Sequence, residues 1–215
     1  MIVVFDSGIG GKTLVTEIKK RLPKHQVVFV SDSENCPYGE KPVAEVRKLA
    51  LAKLKPFLER TEVAVVVLAC NTATVAAIDW LRQSYPKIEF VGMVPALKPA
   101  AAVSKNKKIA VLATPLTARS KKYTDLIRKF AKGYRVISVG CKGLAAAIEH
   151  NDESQIEQLL KKYLEPLKRT GVDTVVLGCS HYVLVKSKIQ KLLGQKIKVL
   201  DSHKAVAARV VSLIE

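Results

Sequence analysis

The chain has 215 residues, of which 48% are hydrophobic, so it has enough apolar side chains for one large domain or two small ones. No apolar run approaches the roughly 20 residues of a membrane span. The first residues, MIVVFDSG, lack the basic start of a signal peptide, and we expect a cytoplasmic protein. Its four cysteines show no zinc-type spacing, so we expect no metal site. Without an export signal we expect these thiols to be reduced.

The chain carries 36 Lys and Arg residues against 19 Asp and Glu residues, a formal net charge of +17. Residues 96–204 hold 22 basic and 8 acidic residues and therefore most of the excess. A surplus of this size suits either a solvated basic surface or the binding of nucleic acid. Aromatic residues make up only 6% of the chain and are not interleaved with basic ones as in a base-stacking surface. The composition favours a solvated surface, and nucleic-acid binding stays open as an alternative.

Short apolar runs alternate along the chain with longer amphipathic segments, a pattern typical of a parallel α/β sheet. The predicted strands are residues 2–5, 27–30, 63–68, 90–93, 109–112, 136–139, 172–177 and 199–200. Apolar residues at three- and four-residue steps predict helices between them, including residues 13–21, 44–59 and 205–214. Three strands of the first half recur 109 positions later, and the remaining pair is 107 positions apart. This offset predicts two similar α/β half-domains, each with a parallel four-stranded sheet.

Cys70 and Cys179 follow the third and the seventh predicted strand, and they are also 109 positions apart. Ligands of open parallel sheets bind beyond the carboxyl ends of the strands. A thiolate can act as a base and a thiol as an acid. Two such groups on opposite faces of a stereocentre would remove a proton from one side and return one to the other, which is racemisation. Asp6 and His181 are candidate partners for proton handling.

Each of these features also has a purely structural interpretation. A buried cysteine at a strand end is often a small core residue. The stretch DSGIGG, residues 6–11, lacks the spacing of either glycine-rich nucleotide motif, and its glycines would also suit a tight strand-to-helix turn. We expect His25, His150 and His203 at the surface, and we expect Cys36 and Cys141 to pack rather than react.

Six motifs in order along the chain resemble those of bacterial glutamate racemase. They are DSGIGG at 6–11, NCPYG at 35–39, ACNTAT at 69–74, AT-x-x-T-x-x-S at 113–120, LGCSHY at 177–182 and LDS at 200–202. The resemblance implies a cofactor-independent enzyme that interconverts L- and D-glutamate, supplies D-glutamate for peptidoglycan and forms a homodimer. It also implies that the active site lies between two domains and that the last helix returns to the first. We therefore predict one domain of residues 1–95 with 205–215 and a second of residues 96–204.

The resemblance assigns the proton of the D-isomer to Cys70 and that of the L-isomer to Cys179. Asp6, His181 and Glu149 match assisting acid–base residues. The positions that match substrate-binding residues are Asp6, Ser7, Pro37, Tyr38, Gly39, Asn71, Thr72, Thr114, Thr117, Ser180 and His181. A racemase that prefers aspartate stays open, because a difference of one methylene is worth only about 1–3 kcal/mol in discrimination.

Overall fold

A computed structural model describes all 215 residues and contains two parallel sheets of four strands each. The strands are β1 (Ile2–Asp6), β2 (Val27–Ser31), β3 (Val65–Leu68), β4 (Glu89–Gly92), β5 (Lys108–Ala113), β6 (Arg135–Gly140), β7 (Thr174–Gly178) and β8 (Lys198–Leu200). The order is β2-β1-β3-β4 in the first sheet and β6-β5-β7-β8 in the second. The predicted α/β class and the two equivalent half-sheets are confirmed.

Eleven helices connect and follow the strands. They are α1 (Lys12–Arg21), α2 (Val43–Leu58), α3 (Asn71–Ser84), α4 (Leu97–Val103), α5 (Pro115–Arg119), α6 (Lys121–Phe130), α7 (Leu144–Glu149), α8 (Glu153–Leu164), α9 (Ser180–Leu184), α10 (Lys186–Leu193) and α11 (His203–Ile214). None of them combines the length and the hydropathy that a membrane crossing requires. Both β3 and β7 begin two residues later than the apolar runs predict.

The central strands β1 and β3 are buried on both faces, as their unbroken β-branched runs indicate. Alternate residues point to opposite sides of the sheet. Val3 and Phe5 pack in the cluster that contains residues of α2 and α3. Ile2 and Val4 pack instead in the cluster that contains residues of α1 and α11. In the second sheet, β5 and β7 are covered in the same way, so the four centre strands hold the site rigidly.

The last helix of each half packs against the sheet of the other half. Helix α11 buries Val206, Ala207 and Val210 in the core of the first sheet. Helix α4 buries Leu97 and Ala100 in the core of the second sheet. This reciprocal exchange supports the division into residues 1–95 with 205–215 and residues 96–204, and the exact boundaries stay a prediction.

His203 is buried, not at the surface as predicted. It begins α11, where its backbone N–H donates to Asp201 Oδ1 at 3.0 Å. Its Nε2 lies 2.9 Å from Thr13 Oγ1 of α1. Lys186 of the second half reaches Asp201 Oδ2 at 2.6 Å. The prediction failed because the imidazole is satisfied by a hydroxyl 190 positions away, which the polar neighbours of His203 do not reveal. This hydrogen-bonded network connects the two halves just before α11, where the chain returns from the second half to the first.

We expect Asp201→Asn to destabilise the fold in a pH-dependent way. The hydrogen bonding of His203 lowers the pKa of Asp201, burial opposes this, and Lys186 adds to the lowering. Because the folded pKa lies below the unfolded value of about 3.9, ionised Asp201 stabilises the fold above about pH 4, and this contribution is lost as pH falls. The substitution should therefore cost about 1.5–3 kcal/mol near pH 7, and the difference from wild type should shrink below pH 4.

Chemical denaturation at pH 7, 5, 4 and 3 measures this difference. Asp125→Asn is the matched control, because the Asp125 side chain is 45% exposed and pairs with Lys121 at the surface, where such pairs contribute about 0–1 kcal/mol. A cost for Asp201→Asn that equals the control, or that does not change with pH, contradicts the assignment.

Candidate active site between the two halves

Cys70 lies at the carboxyl end of β3 and begins α3. Its Sγ accepts a hydrogen bond from the backbone N–H of Ala73 at 3.4 Å and lies 3.4 Å from Ser7 Oγ. Only 4% of the residue is exposed. Burial raises the pKa of the Cys70 thiol to about 12, and the negative charge of Asp6 adds to this. In this closed site Cys70 is therefore a protonated thiol, ready to act as an acid.

Cys179 occupies the equivalent position at the end of β7, just before α9, and is 5% exposed. Its thiol lies within electrostatic range of Cys70 and contributes to the raised pKa of that residue. It also interacts with the imidazole of His181 two positions later. The structure thus brings the two cysteines of equivalent strands into one region, one supplied by each sheet.

A hydrogen-bonded carboxylate and imidazole stand on the Cys179 side. Glu149, at the end of α7, lies with Oε2 2.7 Å from His181 Nε2, and the two side chains are 8% and 2% exposed. Burial opposes ionisation of Glu149, but hydrogen bonds from His181 and from the backbone of Ile9 lower its pKa to about 2. Burial alone would lower the pKa of His181, but its interactions with Cys179 and Glu149 raise it well above the ordinary value.

Asp6, the last residue of β1, is the carboxylate on the Cys70 side. It is fully buried, and burial raises its pKa although the charge of His181 opposes the change. Oδ1 accepts from the backbone N–H of Gly8 at 2.9 Å, whereas Oδ2 has no partner. Asn71 is similar, because its Nδ2 donates to Met93 O and its buried Oδ1 has no partner. Buried acceptors are normally satisfied, so these two oxygens call for a ligand with N–H or O–H donors.

The loop after β1 packs closely against the second half. A Cβ added at Gly8 would lie 2.3 Å from Glu149 Oε2, and one added at Gly10 would lie 2.6 Å from Ser180 Oγ. At Gly10 the backbone of Ser180 and His181 lies within 2.8 Å of such a Cβ, so no side chain fits there without moving the halves apart, whereas at Gly8 the Glu149 carboxylate would have to shift. Gly8 and Gly10 of DSGIGG therefore serve close approach across the cleft.

Hydroxyl groups line the other side of the cleft. Thr72 Oγ1 of the first half lies 2.9 Å from Thr114 Oγ1 of the second, and Thr114 Oγ1 donates to Thr117 Oγ1 at 3.0 Å. Gly39 packs against the Thr114 side chain, where an added Cβ would lie 2.6 Å from Thr114 Cβ. Ser180 is buried with its Oγ 3.4 Å from His181 Nδ1.

Two predicted binding residues have different positions from the others. The Tyr38 hydroxyl donates to Asp32 Oδ2 at 2.7 Å, so it already has a buried partner. Pro37, which follows a cis peptide bond, is half-buried and lines an outer cavity of about 440 Å³.

Two neighbours of the site were not among the predicted site residues. Asp32, at the end of β2, is fully buried and accepts hydrogen bonds from Tyr38 and Asn35. Its position at the carboxyl end of a strand marks it as a candidate site residue. Cys36 lies with its Sγ 3.7 Å from His181 Nε2. No local pattern predicts this contact, because it joins residues 145 positions apart.

The comparisons with known proteins point to one family. A model of the Asp/Glu/Hydantoin racemase family matches residues 12–210. A glutamate racemase from Roseiflexus is 40% identical over 216 residues, which covers 100% of this chain and 79% of the relative. The crystal structure of a glutamate racemase from Bacillus anthracis has a TM-score of 0.88 at 33% identity and covers 100% of this chain and 81% of that one.

A third similar protein is the Escherichia coli glutamate racemase, solved in complex with L-glutamate and the activator UDP-MurNAc-Ala. It has a TM-score of 0.88 at 33% identity, with 99% of this chain and 81% of that chain covered. Both structural comparisons cover nearly the whole chain. The chain therefore belongs to the Asp/Glu/Hydantoin racemase family and is an amino-acid racemase.

Proposed function

We propose that the protein interconverts L- and D-glutamate without a cofactor, with Cys70 and Cys179 as the two catalytic groups. The observation that carries this proposal is the pair of buried thiols at equivalent strand ends, one from each half. The relatives named glutamate racemases support the substrate. In a bacterial cell the D-glutamate would supply peptidoglycan synthesis.

The polar groups of the cleft suit an α-amino acid. An ammonium group supplies the N–H donors that Asp6 Oδ2 and Asn71 Oδ1 require. The carboxylates of the substrate find the backbone N–H groups at the start of α3 and the hydroxyls of Ser7, Thr72 and Ser180. Because both cysteines are almost fully buried, the halves separate to admit the substrate and close around it.

Racemisation from the D-isomer starts with Cys70 as a thiolate and Cys179 as a thiol. The Cys70 thiolate takes the α-proton, which leaves a carbanion conjugated with the α-carboxylate. Cys179 then gives its proton to the opposite face, which yields the L-isomer, a Cys70 thiol and a Cys179 thiolate. The reverse direction starts from that state. The positive charge of the substrate ammonium offsets the effect of burial, which keeps Cys70 protonated. Asp6 accepts the proton of the Cys70 thiol, and cationic His181 stabilises the Cys179 thiolate.

Other parts of the account stay predictions of the same proposal. Homodimer formation and a cytoplasmic location follow from the family resemblance. The +17 charge leaves nucleic-acid binding as a possible second property beside racemisation. Such binding would be steeply salt-dependent and would survive loss of both cysteines.

We expect Cys70→Ser and Cys179→Ser each to reduce racemisation of glutamate by at least about 100-fold, because a hydroxyl is a far weaker acid than a thiol and supplies almost no anionic base near neutral pH. Circular dichroism of glutamate solutions measures turnover in both directions. Cys141→Ser is the matched control, since Cys141 is a buried thiol packed in the second core and should tolerate the change. Normal rates in both single variants would show that the two-base mechanism is wrong.

We also expect glutamate to exchange its α-hydrogen for deuterium faster than aspartate, by about 10-fold or more in kcat/KM. Proton NMR in heavy water follows both amino acids in the same assay. N-acetylglutamate is the control for the ammonium contacts, and it should not exchange because it cannot satisfy Asp6 and Asn71 as a cation. Faster exchange with aspartate would contradict the choice of substrate.

A further inference from the structure

Cys36 has no part in the proposed reaction, yet its thiol lies at the edge of the site. Its Sγ is 3.7 Å from His181 Nε2, and the same nitrogen is 2.7 Å from Glu149 Oε2. One ligand atom each from Cys36, Glu149 and His181 lies within 4.8 Å of the others. A thiol, an imidazole and a carboxylate at one point form a donor set typical of zinc.

The spacing of these atoms is close to what tetrahedral zinc requires. Zinc binds sulfur at about 2.3 Å and imidazole nitrogen at about 2.0–2.1 Å, which places the two ligand atoms about 3.6 Å apart at a tetrahedral angle. The observed Cys36–His181 separation is 3.7 Å. The nitrogen and the carboxylate oxygen would lie about 3.3 Å apart around zinc, so Glu149 needs to move back by about 0.6 Å. The fourth position is left for water or a substrate oxygen.

The cluster is also reachable from solvent. Cys36 lines the outer cavity of about 440 Å³, together with Glu34, Glu40 and Lys41. The charged residues of this entrance are paired: Glu34 with Lys53 at 3.9 Å, Glu40 with Lys142 at 3.8 Å, and Lys41 with Glu45 at 2.8 Å. A cation therefore reaches the cluster through an entrance whose charges are already paired.

The three side chains come from both sides of the cleft. Cys36 follows β2 of the first sheet, whereas Glu149 and His181 belong to α7 and α9 beside the second sheet. A metal ion bound to all three cross-links the halves and prevents the separation that admits substrate. It also occupies the nitrogen through which His181 contacts Glu149.

We propose that a zinc ion binds between Cys36, Glu149 and His181 and inhibits the enzyme. Cys36 and His181 lose their protons to solvent when they bind the metal. The site is regulatory rather than catalytic, since the proton transfers between the cysteines need no metal. The inhibition rests on the proposed racemisation, whereas the binding of the metal does not.

Zinc chloride inhibition of glutamate racemisation tests the proposal on tag-free protein in buffer without thiol reagents. We expect wild type to be inhibited, and we expect Cys36→Ala to need at least about 10-fold more zinc for half-inhibition, with each rate taken relative to the same variant without zinc. Cys141→Ala is the matched control for loss of a thiol and should respond as wild type does. Magnesium chloride should not inhibit, because Mg²⁺ prefers oxygen ligands.

Cobalt(II) absorption tests the same site without any activity measurement. Cobalt chloride should produce the near-ultraviolet thiolate-to-metal band in wild type and in Cys141→Ala, and the band should be absent in Cys36→Ala. This readout separates the proposal from the proposed function, because a protein that does not racemise glutamate can still bind cobalt. Equal zinc sensitivity of wild type and Cys36→Ala, or a cobalt band that survives in Cys36→Ala, would overturn the zinc site, since the metal would then bind elsewhere.

Discussion

The close approach of Gly8 and Gly10 to the second half is the constraint on which the site depends. These positions leave no space for a Cβ between the loop and Glu149 or Ser180. The backbone N–H of Ile9 then donates to Glu149 Oε2 at 2.9 Å, which fixes the carboxylate that holds His181. The contact both closes the cleft over the cysteines and orients the acid–base groups on one side of it.

Closure has an electrostatic consequence that differs between the two sides. On the side of the first sheet, burial raises the pKa of both Cys70 and Asp6. On the other side, the pair of His181 and Glu149 carries a buried positive and negative charge next to Cys179. Two halves with the same sheet order thus give their cysteines different surroundings.

Much of the fold was predictable from the sequence because the repeat is visible in apolar runs. Continuous β-branched strands such as β3 and β7 are recognisable without partners, and their constant offset predicts equivalent sheets. The candidate residues at the strand ends followed from the rule that ligands bind at carboxyl ends. Contacts between the halves were not predictable. The burial of His203 against Thr13 and the approach of Cys36 to His181 depend on how two separately folded sheets dock, and no local pattern encodes that.

The central claim is that one α-carbon is held between two thiols. A crystal structure of the protein with bound glutamate tests it most directly. The account predicts the α-carbon between the Cys70 and Cys179 sulfurs, on opposite faces and each about 3–3.5 Å away, the range of a reactive geometry. A substrate held elsewhere, or with both sulfurs on the same face of the α-carbon, would contradict it.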